Sequence, residues 1–401
     1  MSRPGAGAPD TVHAAARPAA AGMPPARAAR HTHRARRAGL TDRYAALSPV
    51  QQRVIIAAGF LLLYFVLVTT SVILAPSGSR VAAWWPGAGV SVAALLWARG
   101  RTRWVMGAAL FVVSLAGNVL GGRPLDVSTG FALANTAESV TVTVLVLLAG
   151  GAEAVLASMA GLFHLLRACA AGAIVIAAGA GLTVWRFEGG SGWETARAVA
   201  ASHAAALLVV LPCVLVAAST SSPPRRTSER AAQWFAVLGV PAAVFAPGQS
   251  LPLAFLPFIP LMWGAVRMGQ RTVHLQILAT GVISSLLTAT GGGPFGHLAG
   301  SRDPELVTAL VQTFLACSAL MVLPLSVAIR QRQETMAELT RSEALFRHGF
   351  NEALVGMLLL HREGDELRIV EINPVALRLL TSGDGRDETD LLGLDWARLV
   401  S

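Results

Sequence analysis

The sequence predicts a mostly α-helical polytopic membrane bundle of about eight to ten spans. A signalling helix joins it to an incomplete α/β segment. Three observations carry this. Hydrophobic residues make up 54% of the 401-residue chain and charged residues 14%, with a mean hydropathy of +0.56, whereas a soluble domain is about a quarter charged. Apolar runs of membrane-crossing length follow one another through residues 53–329. After them come a polar stretch without glycine or proline, residues 330–345, and then alternating apolar and polar residues.

Residues 1–52 are rich in Ala, Pro, Gly and Arg without apolar periodicity, the composition of a disordered tail. Its cluster Arg27, Arg30, Arg34, Arg36, Arg37 and Arg43 is expected to stay in the cytoplasm, either solvated or against anionic lipid. The net charge of +9 admits nucleic-acid binding or membrane orientation. Because the arginines fall mostly between apolar runs, orientation is the reading, and no nucleic-acid partner is expected. Cys169, Cys213 and Cys317 stand alone in apolar runs, with neither metal-ligand spacing nor a disulfide framework.

Candidate spans lie near 54–75, 82–98, 104–121, 128–149, 169–186, 197–218, 232–247, 251–267, 272–290 and 306–329. Each is long enough to approach a hydrocarbon core of about 30 Å at about 1.5 Å per residue. The two proline-bearing runs 232–247 and 251–267 also suit a re-entrant pair. With the N-terminus inside, the inner loops hold Arg99, Arg101, Arg103, Arg167, Arg225, Arg226, Arg230 and Arg271. The outer loops hold Arg80, Arg123, Arg186 and Arg302 beside Asp126, Glu188, Glu194, Asp303 and Glu305. That asymmetry favours an even number of spans and both termini in the cytoplasm. Residues 152–168 are expected to form an interfacial helix on the inner side.

Several clusters do not suit lipid-facing helix. Trp84-Trp85-Pro86-Gly87-Ala88-Gly89 breaks backbone hydrogen bonds that lipid cannot replace, so it faces protein or a wet cavity, or it is an interfacial tryptophan belt. Gly291-Gly292-Gly293-Pro294-Phe295 must be a tight loop. Asn118, Asn135, Glu138, His203 and His274 lie within spans, and Asn135 and Glu138 share one helix face. A mid-span carboxylate costs about 2.5–3.5 kcal/mol, so Glu138 points inward. It either binds a ligand or proton, or clamps Asn118 or His203 between helices. Arg267 ends the eighth span, where snorkelling would explain it.

These residues carry a family resemblance. Trp85-Pro86-x-x-Gly89 with Ala93, Leu95 and Leu96 resembles the opening of the membrane-associated sensor domain MASE, type one. Arg101-x-x-Trp104, Asn118, Ala134-Asn135-Thr136-x-Glu138, Leu211-Pro212, Ala265-Val266-Arg267-Met268-Gly269 and Gly293-Pro294-Phe295 follow in order over about 54–329. The resemblance implies a bacterial membrane sensor attached to signalling output. Trp85, Pro86, Gly89, Asn118, Asn135, Glu138, His203, Arg267, Pro294 and Phe295 are its candidate ligand or signalling residues. His203 departs from the pattern, an acidic residue being frequent there.

Residues 330–345 favour helix by composition. Met336 and Leu339, with Leu345 and Phe346 about two turns on, make a short seam suited to a homodimer or a lone connecting helix. Residues 346–401 resemble the first half of a PAS domain. Strands are expected at Leu358–His361 and Arg368–Asn373, and Asn373-Pro374 is expected to cap a helix through Leu380. The absent later strands would leave an open sheet edge and a half-built core. No Walker loop, cyclase signature, phosphoacceptor-histidine box or nucleophile–base pair is present, so no catalytic residue, metal or cofactor is expected. By resemblance alone, proteins of this architecture continue into cyclic-di-GMP synthase or phosphodiesterase domains, or a histidine kinase. The stimulus is a small molecule or a membrane protein. A transporter or a docking module would share the midplane polar residues, but no internal inverted repeat supports the transporter. Residues 340–401 alone are expected to melt without a cooperative transition, which calorimetry on that fragment checks.

Overall fold

Helix formation begins where the polar tail meets its first apolar run. The Ser48 N–H donates to Gln51 Oε1 at 2.9 Å, and the Gln51 N–H donates to Ser48 Oγ at 3.3 Å. With proline at the first helical position, this reciprocal cap starts α1 (Pro49–Ile73). The computed structural model describes residues 44–45, 47–73, 82, 84–216, 227–299, 304–381 and 388–400. The tail arginines Arg27, Arg30, Arg34, Arg36, Arg37 and Arg43 lie outside the described residues, as do Arg80, Arg225, Arg226, Arg302 and Asp303. Residues 1–59 and 60–401 form two compact units.

Helices α2 (Gly87–Trp97), α3 (Arg101–Leu120), α4 (Leu125–Leu148), α5 (Met159–Phe187) and α6 (Gly192–Leu215) follow in the second unit. Then come α7 (Thr227–Val244), α8 (Phe258–Arg267), α9 (Gln270–Ala289), the short α10 (Gly293–Ala299) and α11 (Pro304–Asn351). The chain is a mostly α polytopic bundle. Among the described residues seven helices are long and apolar enough to cross a membrane: α1, α3, α4, α5, α6, α9 and α11. The span count of eight to ten included shorter runs. The α2 helix has 11 residues and α8 has 10, about 15 Å each at 1.5 Å per residue, half a hydrocarbon core. Protein encloses α2, with every residue from Gly87 to Leu95 buried. The broken Trp-Pro-Gly entry is therefore shielded, which removes the need for a full lipid-matched length.

One expected element is absent. Residues 152–168 are not an interfacial helix: a single 3-10 turn, Ala154–Leu156, precedes α5, which starts at Met159 and runs for 29 residues. Ser158 caps α5 by accepting from the Gly161 N–H, and Val155 and Leu156 are buried. The turn thus packs on protein through Val155 and Leu156, while Glu153, His164 and Arg167 are exposed.

At the centre lies α6, packed against α2, α5, α9 and α11. Of its most apolar stretch 67% is buried, against 11% for α1. Small residues set the spacing. A Cβ on Gly172 would come within 2.4 Å of Val142, and one on Gly179 within 2.6 Å of Ala134, so α4 and α5 approach closely. A Cβ on Gly89 would lie 2.5 Å from Val210 Cβ, which places α2 against α6. Polar pairs add to this. Gln233 on α7 and Gln276 on α9 exchange amide hydrogen bonds. His274 Nδ1 faces the Pro212 carbonyl at 3.3 Å.

The α11 helix is continuous for 48 residues, about 70 Å. The last apolar span and the expected linker helix are thus one helix through to Asn351, with one backbone hydrogen bond missing at Pro324, which has no N–H to donate. Beyond it, β1 (Leu358–Glu363) and β2 (Glu366–Ile372) form an antiparallel hairpin. Asn373 is fully buried and uses all its bonding capacity. Its Oδ1 accepts from Met357 and Ala376 N–H groups, and its Nδ2 donates to the Phe350 and Val355 carbonyls. It thereby caps α12 (Pro374–Thr381) and ties it to the end of α11. Two short helices complete this piece, α13 (Glu388–Leu391) and α14 (Ala397–Val400).

The sheet edge is less open than expected. Residues between Leu391 and Ala397 lie along β2, with Ile369 N–H donating to the Leu394 carbonyl and Trp396 N–H to the Leu367 carbonyl. The buried core is small: Ile369, Ile372, Ala376 and Leu391.

Gly89→Leu is expected to overpack the α2–α6 contact and cost about 1–3 kcal/mol, with Gly59→Leu, which meets open space, as the neutral control. Thermal unfolding in detergent compares the two.

Candidate functional site: a buried polar spine

Polar side chains from α1, α2, α3, α4 and α6 converge inside the bundle. At the middle of α4, Glu138 is 1% exposed, and on α6 His203 is 4% exposed. His203 Nδ1 lies 2.7 Å from Glu138 Oε2. Both residues stand near the halfway point of 24-residue helices, where lipid offers no substitute partner. Trp85 stacks on the His203 ring, centroids 5.7 Å apart and planes 15° from parallel. The carboxylate side and the aromatic side together fix the imidazole in one orientation. Glu138 Oε1 has no hydrogen-bond partner among the described residues.

One turn earlier on α4, Asn135 Nδ2 donates to Ser114 Oγ on α3 at 3.1 Å. Tyr64 of α1 is buried beside Ser114. On the other side Ser139 and Ser91 hydroxyls meet at 2.7 Å, linking α4 to α2. Asn118 Nδ2 donates back to the Ser114 carbonyl. Its Oδ1 accepts from Arg123 Nη1 at 2.6 Å. Arg123 sits in the α3–α4 connection with its guanidinium 4.4 Å over the Phe131 ring. Burial pushes Arg123 down to about 10, against the opposing pull of Glu188, so it stays charged at neutral pH. A narrow pocket opens among Trp85, Arg123, Phe131, Asn135, Ser202 and His203.

The structure brings together half of the sequence candidates. Trp85, Glu138 and His203 make one cluster, with Asn135 and Asn118 joined to it through Ser114. Glu138 clamps His203 rather than Asn118, because α4 and α6 both pack on α2 and α5, while Asn118 is spent on Arg123. Pro86 and Gly89 shape α2: Pro86 precedes its first turn, and Gly89 lets α6 approach.

The remaining three lie elsewhere. Arg267 forms a bidentate pair with Glu229, Nε to Oε1 at 2.8 Å and Nη2 to Oε2 at 3.1 Å, which ties α8 to α7. Phe295 packs in an aromatic knot with Phe245 and Phe314, tilted at 5.4 Å and edge-on at 6.1 Å. The Gly293 N–H donates to the Ala246 carbonyl, docking the glycine loop beneath that knot with Pro294 beside it. Sequence reading missed Tyr64, Ser91, Ser114, Arg123 and Ser139. Serine inside an apolar run is a weak signal, and only the helix packing shows that these hydroxyls face one another.

Residues 52–333, more than half of the chain, match the MASE1 family. The chain belongs to that family. This agrees with the resemblance carried by the Trp85-Pro86 and Asn135–Glu138 motifs. MASE1 is a membrane-embedded sensory input domain of signalling proteins, and this chain is a multi-pass membrane protein. No curated protein and no solved structure matches it. Among the described residues no group of His, Cys, Asp or Glu is arranged to hold a metal ion. The MASE1 match covers α1 to the first polar turns of α11, so the polar spine lies wholly inside the sensory domain.

Glu138→Gln and His203→Gln are each expected to cost about 1–2 kcal/mol of bundle stability. The double variant should lose less than the sum, because the pair is one interaction. Unfolding titration in mixed micelles checks this, and strictly additive losses would count against the clamp.

Proposed function

We propose that this chain is the input half of a bacterial inner-membrane signalling protein, with both termini in the cytoplasm. A stimulus at the spine around Glu138 and His203 displaces helices that pack on α11, and α11 carries the displacement to residues 346–401. One observation supports this above others: α11 continues through Pro324 as a single helix whose first half packs against α6, α8 and α9 and whose far end is held by Asn373. A rod fixed at both ends transmits translation or rotation, which a flexible linker would dissipate.

In this reading residues 346–401 are the first part of a PAS-like domain. The hairpin and the Asn373-Pro374 helix cap support it. The output, carried elsewhere in the signalling protein, is cyclic-di-GMP turnover, as the resemblance suggests, and the chain itself is not an enzyme. In this reading α2, α7 and α8 cross as shorter spans beside the seven long helices; ten crossings put Arg99–Arg103, Arg230 and Arg271 on the cytoplasmic side together with both termini.

The working unit is a parallel homodimer. Met336, Leu339 and Phe346 are 55%, 63% and 51% exposed along one heptad-spaced face of α11. Two copies inserted in the same membrane present that face in parallel. The remaining partners are the lipid bilayer and the stimulus itself.

Cysteine placed at Met336 or Leu339, with Cys169, Cys213 and Cys317 replaced by alanine, is expected to cross-link in oxidised membranes, and cysteine at Glu338 is not. Glu138→Gln should change the Met336 yield while membrane insertion stays intact. Equal yields at all three positions would remove the dimer seam, and an unchanged Met336 yield would remove Glu138 from signalling.

A further inference from the structure

Where α11 leaves the bundle, three distant segments meet in a polar clasp. Gln270 opens α9 and is 6% exposed. Its Nε2 donates to the Leu156 carbonyl at 3.2 Å. Its Oε1 accepts from Arg330 Nη1 at 3.0 Å. Arg330 Nε also reaches Glu334 Oε1 at 2.7 Å, one turn further along α11. Beside it, Gln331 Oε1 accepts from the Met159 N–H at 3.3 Å.

The Leu156 end of the clasp belongs to the connection between α4 and α5. That connection leaves α4 through Gly150 and Gly151, at φ +97° and +90°. It then packs down so tightly that a Cβ on Gly161 would lie 2.2 Å from the Ala154 carbonyl oxygen. A buried, close-packed turn moves with its helices and does not absorb their motion. The α4 helix is also the one that carries Asn135 and Glu138. A single side chain, Gln270, thus bonds the turn at the foot of the site helix and the root of the signalling helix. Its amide is planar, so rotating it to follow one partner breaks the bond to the other.

We propose that Gln270 is a positioning residue that sets the register of α11 by the position of the α4–α5 turn. Displacement of α4 shifts the Leu156 carbonyl, and Gln270 passes the shift to Arg330. This rests on the sensory reading of the Glu138 spine. Direct packing of α6 on α11 holds the two helices together, but apolar packing permits sliding, whereas the clasp specifies one register.

Amide hydrogen exchange on the full chain in lipid nanodiscs tests this. Gln270→Leu removes both arms and is expected to raise exchange in residues 330–345 and 150–158 together by about two- to tenfold, the net worth of one hydrogen bond. The α6 core around Leu207 should keep its protection, which reports an intact fold. Gln270→Glu keeps an acceptor for Arg330 and loses the donor to Leu156, so it should loosen 150–158 only. Glu138→Gln should alter exchange in 330–345 in the native background and lose that effect in the Gln270→Glu background.

Unchanged exchange at 330–345 in Gln270→Leu overturns the proposal, and so does a Glu138→Gln effect that survives in Gln270→Glu. Should Gln270→Leu unfold α6, Arg330→Met serves instead, at a side chain 29% exposed. It is expected to free 330–345 and leave 150–158 protected, and any other pattern overturns the clasp. A silent Glu138→Gln in the native background removes the sensory reading of that residue, while the Gln270 variants still decide the clasp.

Discussion

Hydrocarbon accepts no hydrogen bonds, so the strongly polar side chains in this bundle turn to protein, and several find their partner on another helix. That constraint organises the interior. Glu138 meets His203, Asn135 meets Ser114, Ser91 meets Ser139, and Gln233 meets Gln276. Each pair joins two helices, and each would be left with an uncompensated polar group if the helices slid by a turn. Apolar packing alone gives membrane helices little preference among registers, because lipid tails are as apolar as leucine. The polar pairs supply that preference, and the glycines at 89, 172 and 179 bring the backbones near enough for short side chains to reach.

The same constraint explains the two short helices. A helix of ten or eleven residues is about half as long as a hydrocarbon core is thick, and in lipid its ends would expose backbone groups. Here α2 is enclosed on all sides, its end carbonyls are reached by Arg103, which donates to Leu95 and Ala98, and its Trp85 forms one wall of the spine. The cost of an interrupted backbone is thereby concentrated beside the site. Trp85, from that irregular entry, stacks on the buried His203 imidazole of the regular α6.

Most of the helix placement was legible in the sequence. Apolar length and loop arginines located α1, α3, α4, α6, α9 and the first half of α11, because a membrane span must be long, apolar and flanked by charge. The strand pair and the Asn373-Pro374 cap were legible too, from alternation and local cap chemistry. The segment 152–168 misled, since Glu153, His164 and Arg167 spaced among apolar residues look interfacial. Only tertiary packing reveals that Val155 and Leu156 are buried against the start of α5. Arg267, Pro294 and Phe295 read as site residues because their motifs are dense in Gly, Pro and charge; the structure pairs Arg267 with Glu229 and packs Phe295 on Phe245 and Phe314, apart from the Glu138–His203 pair.

By itself the sequence determined the class of the protein, the order of its helices and the residues too polar for lipid, since composition and periodicity act locally along the chain. Only the tertiary structure decided which polar residues pair. Glu138 and His203 are 65 residues apart, and Met159 and Gln331 are 172 apart. Contacts over such separations depend on how whole helices pack and rotate, which no local pattern encodes. The same holds for α11: its polar half reads as a linker, and it becomes a rigid rod because its N-terminal half is packed in the bundle and its far end is bonded to Asn373.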